Sequence, residues 1–290
     1  MLLIILVLIV SILMHSALSV QYVSQALSLW FEHMIPSLFP FMILSGIIVR
    51  KGYSSMLSKP FFPFLGRLYH INPTMCTTML LGFLFGFPLG AKTISEEYQY
   101  GHLTKEQAQY LLTFCNNIGP IYLISFAFPL LKIPTKILLI HIAIPLFYGL
   151  ILRYTVYRSL SVVSISGNTL SFPDTISAID DAITSACIAT MKLGGYMVFF
   201  ILWNLPCAFL SGINIMQYTP AILEITSGLI QNKPMPYPAM ILITFSGLSC
   251  YAQTYTCIKQ TDLSFKSYCH HKLIQTSIAI IVYGVSFASF

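Results

Sequence analysis

Apolar runs of membrane length, interrupted at a few crowded polar places, set the pattern of this chain. They fall at 2–20, 35–49, 75–91, 121–131, 137–152, 193–210, 239–258 and 273–290. Without two-residue alternation, such runs bury their backbone polar groups in lipid only as helices, which predicts an all-α, polytopic membrane protein of about eight apolar segments. The run at 75–91 is broken by Gly86, Pro88 and Gly90, and a break inside lipid survives only beside protein or water. Lys92 follows at once, and Thr93 with Glu96 has the form of a capping box. The spacing predicts a new helix from 92–94, with its first amides and the ammonium facing one way. A second box, Thr104 to Gln107, opens a helix on which Glu106, Gln109, Thr113 and Asn116 form a polar stripe, ended by Asn117, Gly119 and Pro120.

The rest of the chain supplies topology. The run 2–20 lacks the basic start of a secretory signal and reads as a retained span. The connection 21–33 has no Lys or Arg, whereas 50–67 carries Arg50, Lys51, Lys59 and Arg67, which places that loop in the cytoplasm. The same rule puts the loop from Lys259 to Lys272 there and 211–219 on the other side. A polar connector at 159–173 divides the chain, and 174–190 reads as an amphipathic, interfacial helix. The stretch 222–231, too short to cross, carries Glu224 and Thr226. This gives a first span with outer loop at 1–34, one half at 35–158, the connector, and a second half at 174–290.

Placing Gly86 over Gly247 aligns two Gly-x-x-x-x-Ala-x-Thr stretches and sets Lys92 over Gln253. The second stretch carries its own polar stripe, Ser246, Ser249, Gln253 and Thr256. Two repeated halves with broken or re-entrant helical hairpins are the sequence signature of a transporter's midplane site. Interhelical hydrogen bonding also accounts for such stripes, and a lysine near a helix end also fits snorkelling to headgroups.

Composition narrows the classes. The chain is 56% hydrophobic and 8% charged, against about 25% charged in soluble domains. The formal charge of +6 sits in loops, so nucleic-acid binding is excluded as an expectation. Seven cysteines without a Cys-x-x-Cys indicate neither a disulfide framework nor a zinc site. Cys269, His270 and His271 point in different directions on a helix. With no activated nucleophile or metal set, no enzyme and no cofactor are expected. The candidate solute-binding residues are Gly86, Pro88, Gly90, Lys92, Asn116, Asn117, Ser249 and Gln253, and Glu224 with Thr226 is the candidate site for a coupling cation.

Four motifs carry a family resemblance over most of the chain. They are Phe85-Gly86-Phe87-Pro88-Leu89-Gly90-Ala91-Lys92, Phe114-Cys115-Asn116-Asn117-Ile118-Gly119-Pro120, Leu223-Glu224-Ile225-Thr226-Ser227-Gly228 and Gly247-Leu248-Ser249-Cys250-Tyr251-Ala252-Gln253. With them the sequence resembles the sporulation integral membrane proteins that carry a nucleoside-recognition, Gate-type domain related to concentrative nucleoside transporters. The resemblance implies a multi-pass protein of a bacterial cell membrane, the forespore membrane, that moves dipicolinic acid or a nucleoside-like solute. Phe87 stands where the first motif carries tyrosine. A non-transporting membrane scaffold for spore maturation is the competing expectation.

Overall fold

The computed structural model describes residues 2–162, 173–208 and 217–288. Helices account for the regular structure, and no strand occurs among the described residues. Among the described residues, four are long and apolar enough to cross a membrane: Ser16–Arg50, Ile137–Tyr154, Thr175–Cys207 and Phe265–Ala288. Leu2–Met14, Pro73–Phe85 and Pro120–Leu131 are shorter apolar helices. The connector at 159–173 and the loop at 211–219 lie largely outside the described residues.

In chain order, α1 (Leu2–Met14) leads into α2 (Ser16–Arg50), which runs unbroken through one wider turn at Trp30–Met34. The expected outer loop at 21–33 is therefore helix. No glycine or proline interrupts 16–34, and the polar residues there do not stop a helix. The short α3 (Ser54–Leu57) and α4 (Phe62–Tyr69) precede α5 (Pro73–Phe85) and α6 (Leu89–Gln99). Next come α7 (Lys105–Leu112), α8 (Pro120–Leu131) and α9 (Ile137–Tyr154).

The second part opens with α10 (Thr175–Leu202), capped by Asp174, whose carboxylate accepts from the amides of Ile176 and Ser177. The separate interfacial helix expected at 174–190 is the first half of this span. Gly194 and Gly195 do not end it, because the Trp30 ring packs onto Gly194 and its indole N–H donates to Thr190 O at 2.9 Å. Then follow α11 (Asn204–Ala208), α12 (Thr219–Leu223), α13 (Ile225–Asn232), α14 (Pro236–Phe245), α15 (Leu248–Ile258) and α16 (Phe265–Ala288).

Two segment pairs fold back on themselves. Gly82 in α5 and Gly90 in α6 both abut Cys115, and Ser54 meets both Thr77 and Glu97, so α5 and α6 form a hairpin with its tip at Gly86–Pro88. The pair α12–α13 reverses at Glu224, with Gly228 against the backbone of Ala221. Two other pairs cross with a break. The stretch 113–119 separates α7 from α8, and Ser246–Gly247 separates α14 from α15. The pair α14–α15 runs antiparallel along α16: Tyr237 donates to Ile280 O, Tyr251 packs on Tyr268 and Tyr255 on Phe265. The break at Gly247 is therefore not a hairpin, unlike its sequence counterpart at Gly86. Each hairpin tip meets a crossing break: Gly86 lies against Asn117 and Gly119, and Gly247 against Ala221 and Ile225.

Candidate functional site

The broken backbone is satisfied inside the protein. Asn116 leaves the expected helical stripe, because α7 ends at Leu112, and its carboxamide becomes a cap for another helix. Its Oδ1 accepts the Ala91 amide at 3.1 Å, while its Nδ2 donates to Thr254 Oγ1 at 2.9 Å and Tyr268 OH at 3.3 Å. This explains why α6 starts at Leu89, ahead of the expected Thr93 box: a cap in trans replaces the local one. The Thr104–Gln107 box forms with both of its reciprocal bonds.

Lys272 donates to Asn117 Oδ1 at 2.7 Å, Gln275 to Thr113 O at 2.6 Å, and the Phe87 amide to Asn117 O at 2.6 Å. His141 lies 3.2 Å from Ile118 O. Lys272 had been expected in a cytoplasmic loop, yet it sits within α16 at 1% exposure. These contacts supply the partners that an interrupted helix in lipid requires. They also occupy Asn116 and Asn117, and bury Gly86 and Gly90 at a backbone crossing where no side chain fits. The amides of Gly90, Ala91 and Lys92, expected to face a solute, are bonded to Gly86 O, Asn116 Oδ1 and Pro88 O.

A polar cleft of about 590 Å³ lies beside this crossing. Lys92, Ser95, Glu96 and Gln99 of α6 form one wall, and Gln253, Thr256 and Cys257 of α15, with Gln260 just beyond its end, form another. Both sets have spacings of three, four and seven, the signature of one helix face. The third wall is α10 from Asp181 to Tyr196, about 22 Å of helix at 1.5 Å per residue. Arg50, at the end of α2, completes the lining. Pro88 lines the cleft as well, so three of the eight sequence-predicted binding residues, Pro88, Lys92 and Gln253, come together there. Ser249 is fully buried on α15 and its hydroxyl makes no hydrogen bond.

The charges in the cleft are organised around Glu96, which sequence reading had used only as part of a cap. Its Oε1 receives Lys92 Nζ at 2.6 Å, Ser185 Oγ at 3.0 Å and Arg50 Nη2 at 3.5 Å. Arg50 also donates to Gly46 O and lies over the Tyr100 ring. Lys92 is thus paired inside the cleft and does not snorkel. Three cations, Arg50, Lys92 and Lys192, face two carboxylates, Glu96 and Asp181.

A second, smaller cavity of about 50 Å³ lies deeper. Phe85, Phe87, Tyr122, Met34 and Leu38 give it apolar walls, and Glu224, Thr226 and Cys250 line it too. Gln253 and Leu193 belong to both cavities and form the neck between them. Glu224 is 3% exposed and caps its own helix, accepting from Thr226 N at 3.2 Å and Ser227 N at 2.7 Å. A volume of 590 Å³ is within the usual range for small-ligand sites, whereas 50 Å³ admits only a few waters or an ion.

From sequence alone, Arg50 and Lys272, at the ends of apolar runs, read as loop residues and Glu96 as part of a helix cap, so all three are missed as site residues. The available signal was position: Lys272 stands directly before the apolar run that starts at Leu273, with Gln275 one turn on.

Helices of spanning length, broken pairs satisfied by buried polar side chains and a polar cleft define a polytopic, all-helical integral membrane protein. Over 319 aligned positions the chain is 22% identical to the sporulation integral membrane protein YlbJ of Bacillus subtilis (strain 168), covering 93% of this chain and 78% of that one. No protein-family profile matches the chain, and no solved structure does.

Proposed function

We propose that the protein carries a small polar or anionic solute across a membrane during sporulation, with dipicolinate as the solute and a forespore membrane as the site. One observation carries the reading: a 590 Å³ polar cleft with three cations, walled by α6, α10 and α15 and joined through Gln253 to a deeper cavity. A planar dicarboxylate suits Lys92 and Arg50, since charge-assisted bonds to carboxylates are the strong ones. The similarity to a sporulation membrane protein supports the setting.

The same reading takes the chain as two inverted halves. In each, a hairpin tip meets a crossing break, one hairpin entering from the Arg50 end and the other from the opposite end. The Arg50 end, with Lys51 and Lys59 close by, faces the cytoplasm. The cleft is then open to the cytoplasm and closed beyond Gln253. Glu224 and Thr226, at the inner cavity, are the residues for a coupling cation. A nucleoside-like solute is the second reading, favoured by the pairing of Lys92 with Glu96, which leaves amides and tyrosines such as Gln253, Gln260 and Tyr196 for a neutral ligand. A scaffold would have no use for the cleft.

Uptake of labelled dipicolinate and labelled nucleosides into proteoliposomes tests these readings. Saturable dipicolinate uptake, competed by unlabelled dipicolinate and not by nucleosides, is the expected result. Uptake of nucleosides alone would install the second reading, and no uptake of either would leave the scaffold.

A further inference from the structure

The cations that an anionic solute would use are already held by the protein's own carboxylate. Glu96 Oε1 takes Lys92 at 2.6 Å, Ser185 at 3.0 Å and Arg50 at 3.5 Å, while its Oε2 is buried with no hydrogen-bond partner. Lys92 and Arg50 are each about 7% exposed, so neither head group can swing out to meet a solute away from Glu96. A solute carboxylate that engages them competes with Glu96 for both cations. A buried carboxylate stripped of its cations is costly, and a proton removes the cost.

We propose that Glu96 is the displaceable counter-ion of the cleft: an incoming carboxylate takes over Lys92 and Arg50, and Glu96 binds one proton from the solvent as it is released. The proposal rests on the anion-carrying reading above. The balance is one carboxylate converted to a carboxylic acid for each anion bound, with water supplying the proton. Glu96 is faced by Arg50 from α2, by Lys92 on its own helix with Tyr100 beyond its end, by Asp181, Lys192 and Tyr196 from α10, and by Cys257 from α15. Of the two carboxylates only Glu96 is ion-paired to Lys92 and Arg50; Asp181 lies exposed at the mouth. Release breaks the bonds at Oε1, while the unpartnered Oε2 is the oxygen open to the proton. Each anion moved would then be accompanied by a proton.

The test uses the purified full-length protein in detergent and pyridine-2,6-dicarboxylate, whose carboxyl groups stay ionised between pH 6 and 8.5, roughly two or more units above an ordinary carboxyl pKa. In weakly buffered solution the parent is expected to take up about one proton per bound anion, with affinity falling by about tenfold per pH unit. Glu96→Gln keeps the side-chain length without the charge. It should bind about tenfold or more tightly at pH 8, lose the proton uptake and flatten the pH dependence. Ser185→Ala should keep the proton uptake. Binding by the parent without proton uptake would overturn the proposal, and so would uptake that persists in Glu96→Gln. Because the proton count is made on the parent, a variant that fails to fold does not remove the test. A parent that binds no dicarboxylate at any pH would instead bring down the anion-carrying reading, and the proposal with it.

Discussion

The break at Gly86 reverses the chain, and the break at Gly247 lets it pass. Both glycines have positive φ, +72° and +78°, with ψ near ±155°, a region essentially reserved for glycine. The surroundings differ. A Cβ on Gly86 would lie 2.2 Å from the Gly119 amide nitrogen, whereas on Gly247 its nearest neighbour is 3.2 Å away. A glycine signature therefore marks where a membrane helix is interrupted, while packing against the partner segment decides whether the chain turns back. The two walls that leave these breaks differ in chemistry as well. The face of α6 presents Lys92 and Glu96 where α15 presents Gln253 and Cys257.

Alanine at the two glycines gives the largest contrast. Gly86→Ala should leave no folded protein, since backbone atoms on both sides of the contact would have to move. Gly247→Ala should cost about 1 to 3 kcal/mol of backbone strain and still fold. Size-exclusion profiles and melting temperatures in detergent distinguish these outcomes, and equal loss in both variants would contradict the difference in packing.

The charged wall comes next. Lys92→Gln makes α6 resemble α15 at Gln253, and with one charge-assisted bond gone dipicolinate uptake at low concentration should fall about tenfold to a hundredfold. Protein level should stay normal, because Arg50 and Ser185 still hold Glu96. Asn116→Ala should act differently, lowering the melting temperature by removing the cap on Ala91 and the bonds to Thr254 and Tyr268. A Lys92→Gln protein with unchanged uptake would detach the cation from solute binding.

The neck offers a native pair of reporters. Cys257 lines the cleft and Cys250 the inner cavity, two turns apart on α15, with Gln253 between them. In proteins retaining one cysteine each, a small water-soluble thiol reagent should label Cys257 from the Arg50 end and leave Cys250 untouched. Gln253→Ala should raise Cys250 labelling several-fold. Equal labelling of both cysteines in the parent would show that the neck is not closed.

Much of this architecture was legible in the residues. The run at 137–152 falls within α9 and the described part of the last run, 273–288, within α16, the Thr104–Gln107 box forms as read, and Gly86, Pro88 and Gly247 mark true breaks. What was not legible depends on tertiary partners. Asn116 caps a helix twenty-five positions earlier in the chain, so no local spacing announces it. Lys272 and Arg50 read as loop charges because the positive-inside rule counts cations and does not see which are buried. The register that set Gly86 over Gly247 found two real breaks but joined a hairpin tip to a crossing helix, since glycine composition is the same for both.

The smallest effect is expected where the two parts of the chain meet outside the apolar core. The turn after α15 is tied to α6 and α7 by Asp262, which receives Tyr98 OH at 2.7 Å and Lys105 Nζ at 2.8 Å, and by Gln109, which accepts the Ser264 amide at 2.7 Å and donates to Ser264 O. The first pair is exposed to water and screened by salt; exposed ion pairs contribute little, whatever their geometry. The hydrogen bond from Lys105, followed by that from Tyr98, holds the Asp262 carboxyl below its ordinary value. A depressed carboxylate contributes stability above its unfolded value, near 4, and loses it only as pH falls through the lower folded value. Asp262→Asn should accordingly lower the melting temperature only slightly, by the same amount throughout pH 6 to 8, and high salt should erase that difference. Gln109→Ala removes a neutral, two-way bond to the backbone that salt does not screen, so its small loss should persist at high salt. A salt-insensitive loss in Asp262→Asn larger than that in Gln109→Ala would mean that the surface ion pair, and not the backbone capture, holds the two turns together.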